Sequence, residues 1–118
     1  MEFKAALPIY LQVMMMIKRD IVTGELQLGA KMPSVRDMAL QFTINPNTVS
    51  RVYRELEQEG ICFTKRGMGT FVTEEKEKVE QLKEEMAQEL VSQFLNGMKQ
   101  LGISGEEAVR MIKESAEC

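Results

Sequence analysis

Histidine is missing from all 118 residues, and cysteine occurs only at Cys62 and Cys118. Zinc centres are built mainly from these two residue types, so the composition argues against one; two isolated cysteines make neither a disulfide framework nor a metal pattern. Cys62, in an expected strand, reads as a small core residue. With no histidine and only scattered carboxylates, no nucleophile with its base, no paired carboxylates and no phosphate-binding loop stand out, so catalysis is not expected. No cofactor is implied. Long apolar runs are also lacking: the longest, Val13 to Ile17, is far too short to span a bilayer, and no secretory signal pattern is present. The expectation is a soluble, cytoplasmic protein with no membrane partner.

An excess of positive charge is the last absence, since the chain carries a net −3. That total hides a division. Residues 1 to 73 hold nine Lys and Arg against seven Asp and Glu, a net of +2, whereas residues 74 to 118 hold six against eleven, a net of −5. A basic front half and an acidic tail are compatible with a phosphate-facing surface on the front half alone.

The stretch Pro33 to Gly60 reads as two short helices joined by a tight turn. Ser34 and Asp37 form a small capping box, and Val35, Met38, Ala39 and Phe42 fall on one face of the helix it opens. The chain breaks at Thr43 to Asn45. Asn45 is a suitable N-cap and Pro46 sits where a first-turn proline is tolerated, so a second helix follows and stops at Gly60. That helix buries Val49, Val52, Tyr53 and Leu56. Its outward residues Asn47, Thr48, Ser50, Arg51 and Arg54 offer donors and acceptors for base edges and guanidinium groups for phosphate or guanine, with no carboxylate before Glu55. An ordinary solvated helix face would also be polar, so the next segment matters.

Ile61 to Thr64 and Thr70 to Thr73 read as strands, with Lys65 to Gly69 as the turn between them. Two glycines allow close backbone approach, and Lys65 and Arg66 place charge at that point. A basic hairpin directly behind a helix-turn-helix is the wing of a winged helix. Ahead of both, a helix from Pro8 to about Thr23 carries Tyr10, Val13, Met14, Ile17 and Ile21 on one face and ends at Gly24. The run Met14 to Met16 suits irregular packing better than a copper site, whose ligands would surround a pocket. Glu25 to Lys31 forms a loop, and Lys31 with Met32 a very short strand able to pair with the wing.

These motifs resemble the DNA-binding domain of GntR-family bacterial transcription regulators. The residues that carry the resemblance are Gly24 and Gly29, the run Lys31 to Arg36, Asn47-Thr48-Val49, Leu56-Glu57-x-Glu59-Gly60 and Gly67-x-Gly69-Thr70-Phe71-Val72, together with the opening Leu7-Pro8-Ile9-Tyr10. It covers about residues 7 to 73. The resemblance implies that the first helix packs behind the helix-turn-helix and that double-stranded DNA is the partner. Carried over by position, Arg36 reaches DNA from the first helix of the motif, Asn47, Thr48, Ser50 and Arg51 from the second, and Arg66, Gly67 and Gly69 from the wing. Asn45 and Lys65 complete the candidate set as the helix cap and the base of the wing turn. Some relatives have arginine at the positions of Pro46 and Ser50, so their base preference does not transfer.

The tail, from Glu74, begins with a long amphipathic helix whose apolar stripe includes Leu82, Met86, Leu90, Phe94, Met98 and Leu101. Gly97 is tolerated there and permits close helix contact. Gly102 to Gly105 turns the chain, and Ser104 caps a short last helix with Ala108, Val109, Met111 and Ile112 as its apolar positions. The expected fold is mainly α with a small β-hairpin: a winged helix-turn-helix over 1–73, followed by a two-helix dimerisation region over 74–118. Packing the six stripe residues against a second copy gives a homodimer, and folding the tail back gives a monomer. A tail this short resembles that of the YtrA-type subfamily, which implies a compact dimeric repressor of an inverted-repeat operator, often associated with a transporter operon. Activation, the effector and a protein-binding winged helix stay open.

Overall fold

The structure, a computed structural model, describes residues 6–116; Cys118 lies outside them. Helix α1, Ile9–Thr23, starts after Pro8, whose carbonyl accepts hydrogen bonds from the amides of Leu11 and Gln12 at 3.1 and 3.3 Å. It buries Val13, Met14, Ile17 and Ile21 and ends at Gly24 in the left-handed conformation. Of the three consecutive methionines only Met14 is buried, because a helix turns its successive residues to different faces.

Helix α2, Val35–Phe42, is capped by Ser34, whose Oγ accepts from the Asp37 amide at 3.0 Å. Thr43 takes a left-handed φ of 55° and ends it. Helix α3, Pro46–Gln58, opens on Asn45, whose Oδ1 accepts from the Asn47 amide at 2.8 Å. It ends slightly before Gly60, whose positive φ lets the Ile61 amide return to the Leu56 carbonyl at 3.0 Å.

Strands β1, Cys62–Lys65, and β2, Gly69–Val72, pair antiparallel, with Phe63 opposite Phe71 and Lys65 opposite Gly69. The ladder sits one residue nearer the turn than expected, because the Met68 amide closes a tight turn on the Lys65 carbonyl at 2.9 Å. The short strand before α2 is a single bridge between Lys31 and Phe71, flanked by hydrogen bonds of 2.8 Å from Met32 to Thr70 and from Val72 to Ala30. These bonds tie the wing to the loop ahead of α2.

Helices α1 and α2 both pack on α3, and Val13, Ile17, Val49, Val52, Leu56 and Val72 are the largest fully buried side chains. Tyr53 adds a polar tie: its hydroxyl donates to the Pro33 carbonyl at 2.6 Å and lies 3.6 Å from Met38 Sδ. Tyr53→Phe removes this hydrogen bond and is expected to lower stability by about 1 kcal/mol in urea unfolding. An unchanged midpoint would mean that the loop at Pro33 is held by other contacts.

Burial pushes the Cys62 thiol up to about 11 from its ordinary 9.0, with the Glu57 carboxylate as a smaller contribution. The folded state therefore resists losing this proton. The stabilisation is intact below the unfolded thiol's value and is lost as pH rises from about 9 through about 11. Burial moves the Tyr53 phenol in the same direction, aided by Cys62. Urea midpoints are expected to fall across this interval, and to fall less steeply in Cys62→Ala.

Helix α4 runs Lys76–Gln100 and α5 Gly105–Ala116, the latter capped by Ser104, whose Oγ accepts from the Glu107 amide at 3.2 Å. The chain divides into two compact units after Leu82. The first unit thus extends past Thr73, the boundary expected from the motif alone. Leu82, read as a stripe residue for a second copy, is buried within this chain at 6% exposure. In the second unit Ala108 is buried, whereas Leu90, Phe94, Leu101, Val109, Met111 and Ile112 are exposed. No helix among the described residues is long and apolar enough to cross a membrane.

Candidate nucleic-acid interface

Two hydrogen-bonded caps set the front of the candidate surface. Because Asn45 holds the first turn of α3, the exposed side chains of Asn47 and Ser50 stand near the helix N-terminus, with Thr48 half-buried beside them. The N-terminus of a helix carries unsatisfied amides and partial positive charge, which favours an approaching phosphate. Arg36, in the first turn of α2, is exposed, as are Arg54 on α3 and Arg66 in the wing. Among the described residues none of these three guanidinium groups has an ion-pair partner, so all three are available to an external anion.

The wing is built around its own contacts. Phe63 and Phe71 stack on the outer face with centroids 5.7 Å apart, and Lys65 Nζ lies over both rings at 5.7 and 5.1 Å. A cation held over aromatic faces loses little of its charge toward solvent, so Lys65 is a positioned base while Arg66 is the free one. Gly67 and Gly69 have φ of 78° and 117°, conformations that L side chains avoid, and both are needed to close the turn. On the opposite hairpin face Thr64 Oγ1 donates to Glu57 Oε2 at 3.2 Å, fixing the wing against the far end of α3.

A cleft of about 310 Å³ lined by Lys31, Ser34, Val35, Met68 and Gly69, among others, places the wing tip beside the start of α2. Lys31 thereby joins the candidate surface. The short strand expected at Lys31 and Met32 does pair with the wing, through the bridge to Phe71, and that pairing sets Lys31 beside the tip.

Arg51 departs from the sequence reading in its surroundings. Its guanidinium carbon lies 3.6 Å from the centroid of the Tyr10 ring, and its Nε is 3.9 Å from Glu55 Oε1. Tyr10, expected on the core stripe of α1, is only half-buried and carries this cation on its face. No group of three or more potential metal ligands occurs among the described residues.

A family model described as bacterial regulatory proteins, gntR family, matches residues 9–72, more than half of the chain. The HTH-type transcriptional regulator YhcF of Bacillus subtilis is 44% identical over 116 residues, covering 98% of this chain and 96% of that protein. The HTH-type transcriptional repressor YtrA of the same organism is 38% identical over 112 residues, covering 94% and 86%. A solved GntR family transcriptional regulator from Listeria monocytogenes superposes with a TM-score of 0.88 at 39% identity, covering 95% of this chain and 98% of that one. With its capped recognition helix, its basic wing and these relatives, the chain belongs to the GntR family of bacterial regulatory proteins and is a DNA-binding transcriptional regulator, not an enzyme.

Proposed function

We propose that this regulator is a homodimeric repressor that occupies an inverted-repeat operator in the cytoplasm, with one recognition helix in each of two major-groove segments. The observation that carries the dimer is the apolar surface of the second unit. Leu90 is 64% exposed, Leu101 75% and Ile112 49%, in two helices that otherwise present charged residues. Apolar side chains left this exposed at helical spacing call for a covering partner, and a twofold interface is the commonest way to provide one. A cleft of about 480 Å³ lined by Phe94, Met98, Met111 and Ile112 in the same unit is a receptor for the partner's side chains. Gly97 has open space where a side chain would stand, which leaves room for a second helix.

A dimer of winged helices meets DNA as two half-sites about one or more helical turns apart. In each, Arg36, Asn47, Thr48 and Ser50 face the major groove, and Arg66, Gly67 and Gly69 bring the wing to the adjacent minor groove or backbone. Blocking polymerase at the promoter is the mode suggested by the resemblance to YtrA, itself named a repressor. The YtrA-type resemblance also points to a transporter operon as the target. Among the described residues no set of convergent polar groups in the second unit points to a particular effector.

The experiment is a selection of bound duplexes from a random pool with the full chain, followed by titration at two salt concentrations and sedimentation of the complex. Enrichment of an inverted repeat, bound two chains per duplex with a steep salt slope, is the expected result. A protein-binding winged helix would give no enrichment and little salt dependence. On the selected duplex, Arg36→Ala is expected to lose about 1 to 3 kcal/mol and relax one base position if it reads guanine. Affinity within twofold of wild type at matched salt would remove Arg36 from the interface.

A further inference from the structure

We infer that Arg51 grips a DNA phosphate on the side of the recognition helix opposite the wing, and that Tyr10 of α1 is the residue that positions it. This inference rests on the DNA-binding mode of the winged helix. The exposed face of α3 has two flanks, each identified by a contact. Glu57 meets Thr64 of β1, which defines the wing flank, and Arg51 meets Tyr10, which defines the α1 flank. A helix lying in the major groove runs between two phosphate backbones, so a wing on one flank leaves the other backbone to the α1 flank.

The arrangement of Arg51 suits a phosphate and does not suit a base. Its flat face is taken by the Tyr10 ring at 3.6 Å, and its Nε side is turned to Glu55 at 3.9 Å. Among the described residues nothing pairs with the two terminal amino groups, which leaves their in-plane N–H donors for an external acceptor. A guanidinium stacked on an aromatic ring has lost the freedom to swing toward base edges, and its planar fork matches a phosphate. Holding the fork before DNA arrives lowers the entropy cost of that contact. Glu55 stands 3.9 Å from Nε without a hydrogen bond, so the ring face is the contact that holds the guanidinium. Tyr10 is thus a positioning residue that acts through Arg51.

The test uses the full chain and the duplex recovered by selection, on which wild-type binding is established first; failure at that stage would count against the operator reading and not against the assignment of Arg51 and Tyr10. Arg51→Ala is expected to bind about tenfold more weakly, to reduce the salt slope by about 0.9, and to keep the same base preferences. Tyr10→Leu, which retains apolar volume and removes the ring, is expected to lose several-fold in affinity with the same preferences. Tyr10→Phe restores binding, since the ring face is what holds the guanidinium. The double variant Tyr10→Leu with Arg51→Ala is expected to be no weaker than Arg51→Ala alone. A change of base preference in Arg51→Ala would make Arg51 a base reader and overturn the assignment. Multiplying losses in the double variant, or a Phe variant as weak as the Leu variant, would overturn the role of Tyr10.

Discussion

Phe94→Glu is expected to convert the protein to a monomer by sedimentation and to weaken binding to its selected duplex by at least about 100-fold. Phe94 lies on the rim of the apolar cleft of the second unit with Met98, Met111 and Ile112 beside it, and it is 41% exposed. Placing a carboxylate there costs little in a free chain, where the side chain can reach water. Buried between two copies, the same charge would have to be desolvated without a partner, which is prohibitive. Loss of the dimer removes the second half-site from reach of the first, and linked half-sites gain about 10² to 10⁴ in avidity over single ones. Helix content by circular dichroism separates this outcome from unfolding of α4 and α5. A Phe94→Glu protein that stays dimeric and binds as wild type would place the interface elsewhere.

Leu56→Ala is expected to destabilise the first unit by about 2 to 5 kcal/mol in urea unfolding. Leu56 is fully buried on α3, and its carbonyl also accepts the Ile61 amide that leads into β1. Truncation removes about three buried carbons' worth of transfer free energy and leaves a cavity beneath the helix. A loss of this size is a large share of the stability of a small domain. The consequence reaches function, because the same helix presents Asn47 and Ser50. Operator binding is therefore expected to fall with the folded fraction at higher temperature, and to approach wild-type affinity when the folded fraction is high. A stability loss below 1 kcal/mol would mean that the helices close over the missing side chain.

The residues themselves determined much of this protein. Ser34 and Asn45 cap their helices as their short oxygen-bearing side chains require, and the periodic apolar positions of α3, Val49, Val52, Tyr53 and Leu56, are all buried. Local propensity and hydrophobic period act over a few residues, so a single chain records them directly. The family motif is legible for the same reason, since its capped turn and glycine-bearing wing are local constructions.

What only the tertiary structure decided depends on contacts between segments far apart in sequence. Tyr10, expected on the core stripe, is only half-buried and carries Arg51 of α3 on its ring face, a contact that no local pattern records. Lys65 is drawn over Phe63 and Phe71, which separates it from Arg66 although the two are adjacent. Leu82 looked like the other apolar residues of its helix, yet it is buried in its own chain while Leu90 and Phe94 stay exposed. Periodicity gives the face of a helix on which a side chain lies. Which neighbour meets that face is fixed only when the chain folds and the distant segments pack together.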